Sequence, residues 1–134
     1  MPASPNADPG TGVVTKTAPG TVADTIAKLT ALVEARGMMV FTVIDHSGEA
    51  ASHGLDLRDT KLVIFGSPTG GTPVMQAFPL AALDLPLKVL IWDDDGKTRV
   101  SFTSPDVLAA RHHLPDELAS RLAGIGPLTD ALIG

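Results

Sequence analysis

The chain has 134 residues, a net charge of −5 and 44% hydrophobic residues, which suits one domain with its own core. The negative charge and the lack of a basic cluster argue against a nucleic-acid partner. Because there is no cysteine, disulfides and thiolate chemistry are excluded, and every apolar run is too short to span a bilayer.

The first part of the chain predicts a tail, a strand and a helix. Residues 1–12 are rich in Pro, Gly and Ala and are expected to form a flexible tail, without the pattern of a secretory signal, before a single domain at 13–134. Val13–Thr17 predicts a strand. Thr21 and Asp24 have the spacing of a capping box, and the following helix should end at Arg36 and Gly37. Its apolar stripe is Val22, Ile26, Leu29 and Val33.

The middle of the chain predicts two strands that each lead into a helix. Met38–Ile44 lacks periodicity and is expected to be a strand covered on both faces or nearly so. A short helix should lie within Ser47–Leu55, followed by a strand over Lys61–Phe65. After a Gly-rich loop, a helix is expected to begin with Thr72 as N-cap and Pro73 at its first position.

The last third predicts a hairpin and C-terminal helices. Leu87–Trp92 and Thr98–Thr103 flank an Asp-Gly turn, which is a strong hairpin signal. Helices are expected from Pro105 to about His112 and again from Pro115, with a bend at Gly126-Pro127. The order of elements predicts a single α+β domain with a mixed or largely antiparallel sheet and helices packed on one face.

A carboxylate and an imidazole occur together where the second strand ends. Asp45 and His46 can supply polar contacts, or His46 can act as general acid/base; alternatively Asp45 simply caps the next turn. Asp84, in an apolar context, needs a partner if it is buried and is a candidate to orient His46, with a structural role equally open.

The stretch FGSPTGGT, residues 65–72, is a second candidate. It lacks the Lys of a phosphate loop and the spacing of the dinucleotide fingerprint, but it joins a strand to a helix N-terminus. Its N–H groups from Gly70 to Thr72 could hold a small anion, or the loop could be only a connector.

Acidic and histidine residues elsewhere do not have metal-ligand spacing. Asp93, Asp94 and Asp95 lie in a hairpin turn without the further ligands of a calcium loop. His53 and Asp56 follow His46 at unsuitable intervals, and His112 and His113 are adjacent, so their side chains diverge on a helix. We predict no metal and no cofactor.

Five short motifs in a fixed order resemble the bacterial and archaeal domain-of-unknown-function family 302. The similarity spans about residues 20–133, with Ser67 and Thr69 standing where the family often has Asn and Lys. It implies a small α+β domain, commonly dimeric, in which the Asp-His strand end and the Gly-Pro loop surround a shallow pocket. The motifs are Ile44-Asp45-His46, Phe65-Gly66-Ser67-Pro68, Gly71-Thr72-Pro73-Val74-Met75, Asp84-Leu85-Pro86-Leu87-Lys88 and Asp95-Gly96-Lys97.

Three functional hypotheses remain open at this point. The first is a cytoplasmic homodimer that binds a small polar or anionic ligand between His46 and the Gly66–Thr72 loop, with an apolar wall from Pro68 and Met75. The second is an enzyme using His46 as acid/base, oriented by Asp84 or Asp45. The third is an interaction module assembled through a C-terminal apolar stripe without a small ligand. That stripe comprises Leu118, Leu122, Ile125, Leu128 and Leu132. The proposed ligand site comprises Asp45, His46, Gly66, Pro68, Gly70, Gly71, Thr72, Met75 and Asp84.

Overall fold

A computed structural model describes residues 10–134, so residues 1–9 of the tail expected at 1–12 lie outside the described part of the chain. Residues 10–12 form a turn that leads into the first strand, and the carbonyl of Gly12 accepts a hydrogen bond from Ser104 N–H at 2.8 Å. The strands are β1 (Val13–Ala18), β2 (Met39–Asp45), β3 (Thr60–Gly66), β4 (Leu87–Asp94) and β5 (Lys97–Thr103). The α-helices are α1 (Val22–Ala35), α2 (His46–Ser52), α3 (Pro68–Ala77), α4 (Pro105–Arg111), α5 (Asp116–Ala119) and α6 (Ile125–Ile133), and 3-10 turns cover Pro79–Leu83 and Ser120–Leu122.

The five strands form one sheet in the order β1-β5-β4-β3-β2, and every neighbouring pair is antiparallel. The predicted α+β class is confirmed. Asp95 and Gly96 both have positive φ, which matches the tight hairpin turn predicted between β4 and β5.

The core lies between one face of the sheet and helices α1 and α6. Paired positions on adjacent strands point to the same face, so one set of apolar side chains from β3, β4 and β5 meets both helices. Helix α1 begins with the predicted capping box, in which Thr21 and Asp24 bond each other's backbone N–H. The core residues include Leu29, Val33, Val63, Phe65, Val89, Ile91, Val100, Ile125, Leu128 and Leu132.

The opposite face of the sheet is partly exposed and half apolar. We call its apolar part the open sheet face. Towards β1 this side of the sheet becomes polar, with Thr15 hydrogen-bonded to Ser101 at 2.9 Å. The open sheet face consists of Ile44, Leu62, Ile64, Leu90 and Trp92, which the strand registers place side by side.

Strand β2 was expected to be covered, and this prediction is wrong. It is an edge strand, and Met39, Phe41 and Val43 are 45%, 44% and 39% exposed. An apolar run without alternation also arises where an edge strand has neither face fully packed, so the pattern alone does not separate the two cases.

The C-terminal stripe does not form an external interaction surface. Leu122, Ile125, Leu128 and Leu132 are buried in this chain, at 4%, 2%, 0% and 1% exposure, so the hypothesis of assembly through them is wrong. The expected bend at Gly126-Pro127 is also displaced. Pro127 lies in the first turn of α6, where its missing N–H costs nothing. The interruption falls instead at Ala123 and Gly124, which separate the 3-10 turn from α6 while keeping helical φ and ψ angles.

Candidate functional site

The Gly-rich stretch forms a helix start rather than a loop. Ser67 is the N-cap of α3, and its side-chain oxygen accepts the N–H of Gly70 at 3.2 Å. Gly70 and Gly71 N–H also bond the Ser67 carbonyl, at 3.0 and 2.9 Å. The predicted start at Thr72 is therefore wrong, because Ser67-Pro68 supplies the N-cap and the first-position proline five residues earlier.

This early start changes what the stretch can bind. The N–H groups of Gly70 and Gly71 are engaged with Ser67, so they are not the free anion donors that the sequence suggested. Pro73 lies inside α3 and leaves the carbonyl four residues earlier, that of exposed Thr69, without its helical partner. Thr72 is exposed and lies a full turn into the helix.

A pocket of about 130 Å³ opens beside this helix start. We call it the Gly-Pro pocket. Five of the predicted site residues line it: Gly66, Pro68, Gly70, Gly71 and Met75. The rest of the lining was not among the predicted site residues and consists of Met38, Phe41, Ser67, Leu85, Pro86, Leu87, Arg121 and Leu122.

A β-bulge brings Phe41 to the pocket. Val40 pairs with Phe65 and Thr42 with Ile64, so Phe41 is an extra residue on β2. A bulge of this kind turns a side chain out of the regular alternation. A Cβ placed on Gly66 would lie 3.8 Å from the Phe41 ring and 3.6 Å from Pro86, which shows how closely the three approach.

His46 does not lie at this pocket. Asp45 pairs with Lys61 at one end of β3, whereas Gly66 ends the same strand. Gly66 lies five residue steps after Lys61, so about 17 Å of extended chain separates the two ends. The predicted ligand position between His46 and the Gly66–Thr72 loop is therefore wrong.

Asp45 has the capping role that the sequence left open. Its Oδ1 accepts the Gly48 N–H at 2.8 Å and the Ser47 hydroxyl at 2.7 Å, which begins helix α2. These hydrogen bonds, with the charges of Lys61 and His46, hold the pKa of Asp45 below its usual value. His46 itself is exposed at the first position of α2.

Asp84 also has partners other than His46, so the predicted Asp84–His46 pair is wrong. Its carboxylate lies 2.6 Å from His112 Nε2, and Arg111 Nη1 donates to both oxygens at 3.0 Å. Because an ionised carboxylate only accepts, Nε2 must be the donor. Burial raises the pKa of Asp84, but the bonds from His112 and Arg111 and the charges of both outweigh it and hold the pKa below its usual value.

This Asp84 cluster joins the end of α4 to the segment before β4. Asp84 and Lys88 border a separate, smaller pocket of about 80 Å³, which does not include His112 in its lining. Adjacent Arg111 and His112 at a helix end were the only sequence signal for the cluster, and nothing in their spacing points to Asp84. Within residues 10–134 no group of three or more His, Asp or Glu could hold a metal, and no helix there is both long and apolar enough to cross a membrane.

Sequence comparison with known proteins identifies relatives of this chain. The chain is 42% identical over 104 residues to two proteins named "Fluoride-specific ion channel FluC 1", from Brucella suis biovar 1 (strain 1330) and Brucella abortus biovar 1 (strain 9-941). The match covers 77% of this chain but 41% and 38% of theirs, so the chain spans about two-fifths of the length of these curated relatives.

A solved structure shares the fold. The crystal structure of an uncharacterized conserved DUF302 protein from Bacillus stearothermophilus aligns with a TM-score of 0.78 at 19% identity, over 91% of this chain and 95% of that one. The profile described as "Domain of unknown function DUF302" matches residues 14–126, which contain both the Gly-Pro pocket's helix start and the Asp84 cluster. The chain therefore belongs to the DUF302 family.

Proposed function

We propose that this chain is a ligand-binding domain that holds a small, largely apolar molecule in the Gly-Pro pocket. The observation that carries the proposal is the pocket itself, about 130 Å³ in volume and walled mainly by apolar side chains. Met38, Phe41, Met75 and Leu87 are among its apolar lining residues, and Ser67 and Arg121 supply polar side chains. Apolar walls with a few polar groups are typical of small-molecule sites.

The size of the pocket limits the ligand. An apolar cavity of about 150 Å³ accepts benzene, so the Gly-Pro pocket suits one ring or a branched chain of similar bulk. Met38 and Met75 have flexible side chains that adapt to the shape of a guest. The sequence predicted a small polar or anionic ligand beside an apolar wall, and the lining of the pocket favours a ligand whose body is apolar.

The methionines of the chain allow a direct test. We expect toluene, added to the protein labelled with ¹³C at the Met methyl groups, to shift the NMR signals of Met38 and Met75. Met39, on the exposed edge of the sheet and outside the pocket lining, is the internal control. Unchanged Met38 and Met75 signals at saturating toluene would contradict the proposal.

A pair of glycine substitutions sharpens the test. A Cβ on Gly66 would point at Pro86 and Phe41 from 3.6 and 3.8 Å, so Gly66→Ala narrows the pocket without a clash. Gly124→Ala is the matched control, because a Cβ there meets nothing within 4 Å. We expect weaker toluene binding in the first variant and unchanged binding in the second.

We also propose that the chain forms a cytoplasmic homodimer through the open sheet face. The partly exposed apolar side chains of β2, β3 and β4 support this choice, since apolar patches on proteins often mark interfaces. Leu90 lies at the centre of the face, between Leu62 on β3 and Ser101 on β5.

Sedimentation velocity can check the dimer. Wild type should sediment as a dimer, and Leu90→Lys should sediment as a monomer. Leu80→Lys is the control, because Leu80 is 73% exposed and belongs to a 3-10 turn rather than to the strands that form that face. If wild type is still monomeric at about 100 µM, where even a dimer held by only about 5.5 kcal/mol would be populated, the dimer is refuted.

The Brucella relatives favour a second function. We propose that this chain works together with a fluoride channel, as a separate module or as part of a longer protein. The supporting observation is its 42% identity over 104 residues to proteins named as such channels. Deleting its coding sequence should lower the fluoride concentration that stops growth, and restoring wild type should reverse the effect. Equal fluoride tolerance with and without the chain would exclude this role.

A further inference from the structure

We infer that the ligand of the Gly-Pro pocket carries an anionic group, and that Arg121 selects for it. This inference rests on the proposed binding function and specifies the chemical class of the ligand. Within residues 10–134, Arg121 is the only charged residue that lines the pocket. The ligand class is an aromatic or branched aliphatic carboxylate about the size of benzoate.

The fold presents Arg121 to the pocket. It lies on the 3-10 turn Ser120–Leu122, next to Leu122, which also lines the pocket and is 4% exposed. The buried leucine fixes the backbone at the rim, while the arginine side chain itself is exposed. A guanidinium at the mouth of an apolar pocket can meet a carboxylate while the apolar body of the ligand enters the pocket.

Arg121 is also free to bind a ligand. Within residues 10–134 it makes no hydrogen bond or ion pair, whereas Arg99 and Arg111 are each paired with an aspartate. An unpaired arginine side chain can bind a carboxylate without first breaking contacts within the protein. It is therefore the available partner for an anion at this site.

The charge around the pocket differs from that of the whole chain. The chain has 15 Asp and Glu against 10 Lys and Arg, yet none of the acidic residues in the described part of the chain lines the Gly-Pro pocket. An incoming carboxylate would meet one cation and no lining carboxylate. An ammonium group of the same size would meet like charge, so the rim discriminates by sign.

Three probes that differ mainly in charge test this selection: benzoate, benzyl alcohol and benzylammonium. Their affinities are read from the Met38 and Met75 methyl signals at pH 7. We expect benzoate to bind about tenfold more tightly than benzyl alcohol, because charge-assisted hydrogen bonds are stronger than neutral ones. Benzylammonium should bind most weakly, and added salt should weaken benzoate alone.

Two arginine variants assign the effect. Arg121→Gln should weaken benzoate about five- to tenfold and leave benzyl alcohol within about twofold. Arg36→Gln removes the same charge from an exposed residue outside the pocket and should change neither affinity.

The outcomes distinguish failure of the anionic ligand from failure of the binding pocket. If benzoate and benzyl alcohol bind equally well, or if Arg121→Gln leaves benzoate unaffected, the anionic ligand is refuted while the binding pocket stands. If none of the three probes shifts Met38 or Met75, the pocket itself is refuted and both proposals fall.

Discussion

At the residue scale, Lys16 links the edge strand β1 to helix α6. Its side chain is 8% exposed, and Nζ donates to Thr129 Oγ1 at 2.6 Å, Asp130 Oδ1 at 2.8 Å and the Gly126 carbonyl at 3.2 Å. Asp130 is 72% exposed and stays solvated without Lys16, and Thr129 keeps its own bond to the Ile125 carbonyl. Removing the ammonium group therefore leaves few buried polar groups without a hydrogen-bond partner.

We expect Lys16→Met to cost about 1–2 kcal/mol of unfolding free energy and Lys16→Ala about 2–4 kcal/mol. Methionine keeps the apolar stem that packs between strand and helix, whereas alanine also removes that packing. Urea unfolding of both variants at pH 7 measures the difference. Equal losses would mean that the hydrogen bonds, not the stem, carry the contribution of Lys16.

Asp84 makes the stability of the fold depend on pH. Its pKa is lowered in the folded state, so the unfolded chain binds more protons as pH falls and the stabilisation is lost through the folded-state pKa. The contribution is complete above the unfolded value of about 4. We expect Asp84→Asn to lower the free energy of unfolding by about 1–2 kcal/mol at pH 7 and by progressively less below about pH 4.

Urea unfolding of wild type and Asp84→Asn from pH 7 down to acid conditions checks this dependence. Asp56→Asn is the matched control, since Asp56 is exposed and makes no ion pair within residues 10–134. A difference between wild type and Asp84→Asn that does not shrink in acid would show that the carboxylate charge is not what stabilises the cluster.

At the element scale, the start of α2 depends on a glycine. A Cβ on Gly48 would lie 2.5 Å from Asp45 Oδ2, so Gly48→Ala must displace the carboxylate that caps the helix. Gly126→Ala is the contrasting variant, because Gly126 lies inside α6 with nothing within 4 Å of its Cβ position.

We expect Gly48→Ala to destabilise the protein by about 1 kcal/mol, because a lost cap worth up to about 2 kcal/mol outweighs a gain in helix propensity of about 0.5–1 kcal/mol. Gly126→Ala should stabilise the protein by about 0.5–1 kcal/mol, because it gains helix propensity without losing a cap. Thermal unfolding of both variants measures the two signs. A Gly48→Ala protein as stable as wild type would mean that the cap at Asp45 adjusts without cost.

Elements with local signals were predictable from the sequence, and positions set by distant pairing were not. Thr21 and Asp24 predict the start of helix α1, and Asp95-Gly96 predicts the hairpin turn. Both predictions succeed because each structure depends only on residues close together in the chain. The order of strands is not local, so nothing in β2 indicated that it is an edge.

The contrast between local signals and distant pairing also explains which residues of the site were predicted from the sequence. Gly66, Pro68 and Met75 share one motif and do line one pocket, whereas Arg121 and Leu85 join them only through the fold. The direction of β2 carries His46 to the far end of the sheet, although the two motifs are only about 20 residues apart. Ser67-Pro68 has the same pattern of N-cap and proline as Thr72-Pro73, but only Thr72-Pro73 was predicted to begin the helix.

At the scale of the whole molecule, the single tryptophan reports on the proposed dimer. Trp92 is partly exposed on the open sheet face, and its Nε1 donates to Ser101 Oγ at 3.0 Å. Dimerisation through this face would remove the indole from water. We expect tryptophan emission to shift to longer wavelength on dilution of wild type, with no such shift in Leu90→Lys.

That measurement distinguishes the face from other routes of association. If sedimentation shows a dimer while Trp92 emission is independent of concentration, the two copies meet elsewhere on the molecule. Leu80→Lys should follow wild type in both measurements, because it adds the same charge outside the face.

The bulge at Phe41 has a consequence for the sheet edge as well as for the pocket. Free N–H and C=O groups along a regular edge can recruit further strands, and the exposed side chains of Met39 and Val43 would favour such growth. The extra residue in β2 breaks the even spacing of those groups midway along the strand. An incoming strand can match only a short stretch on either side, so the molecule resists stacking edge to edge into fibres.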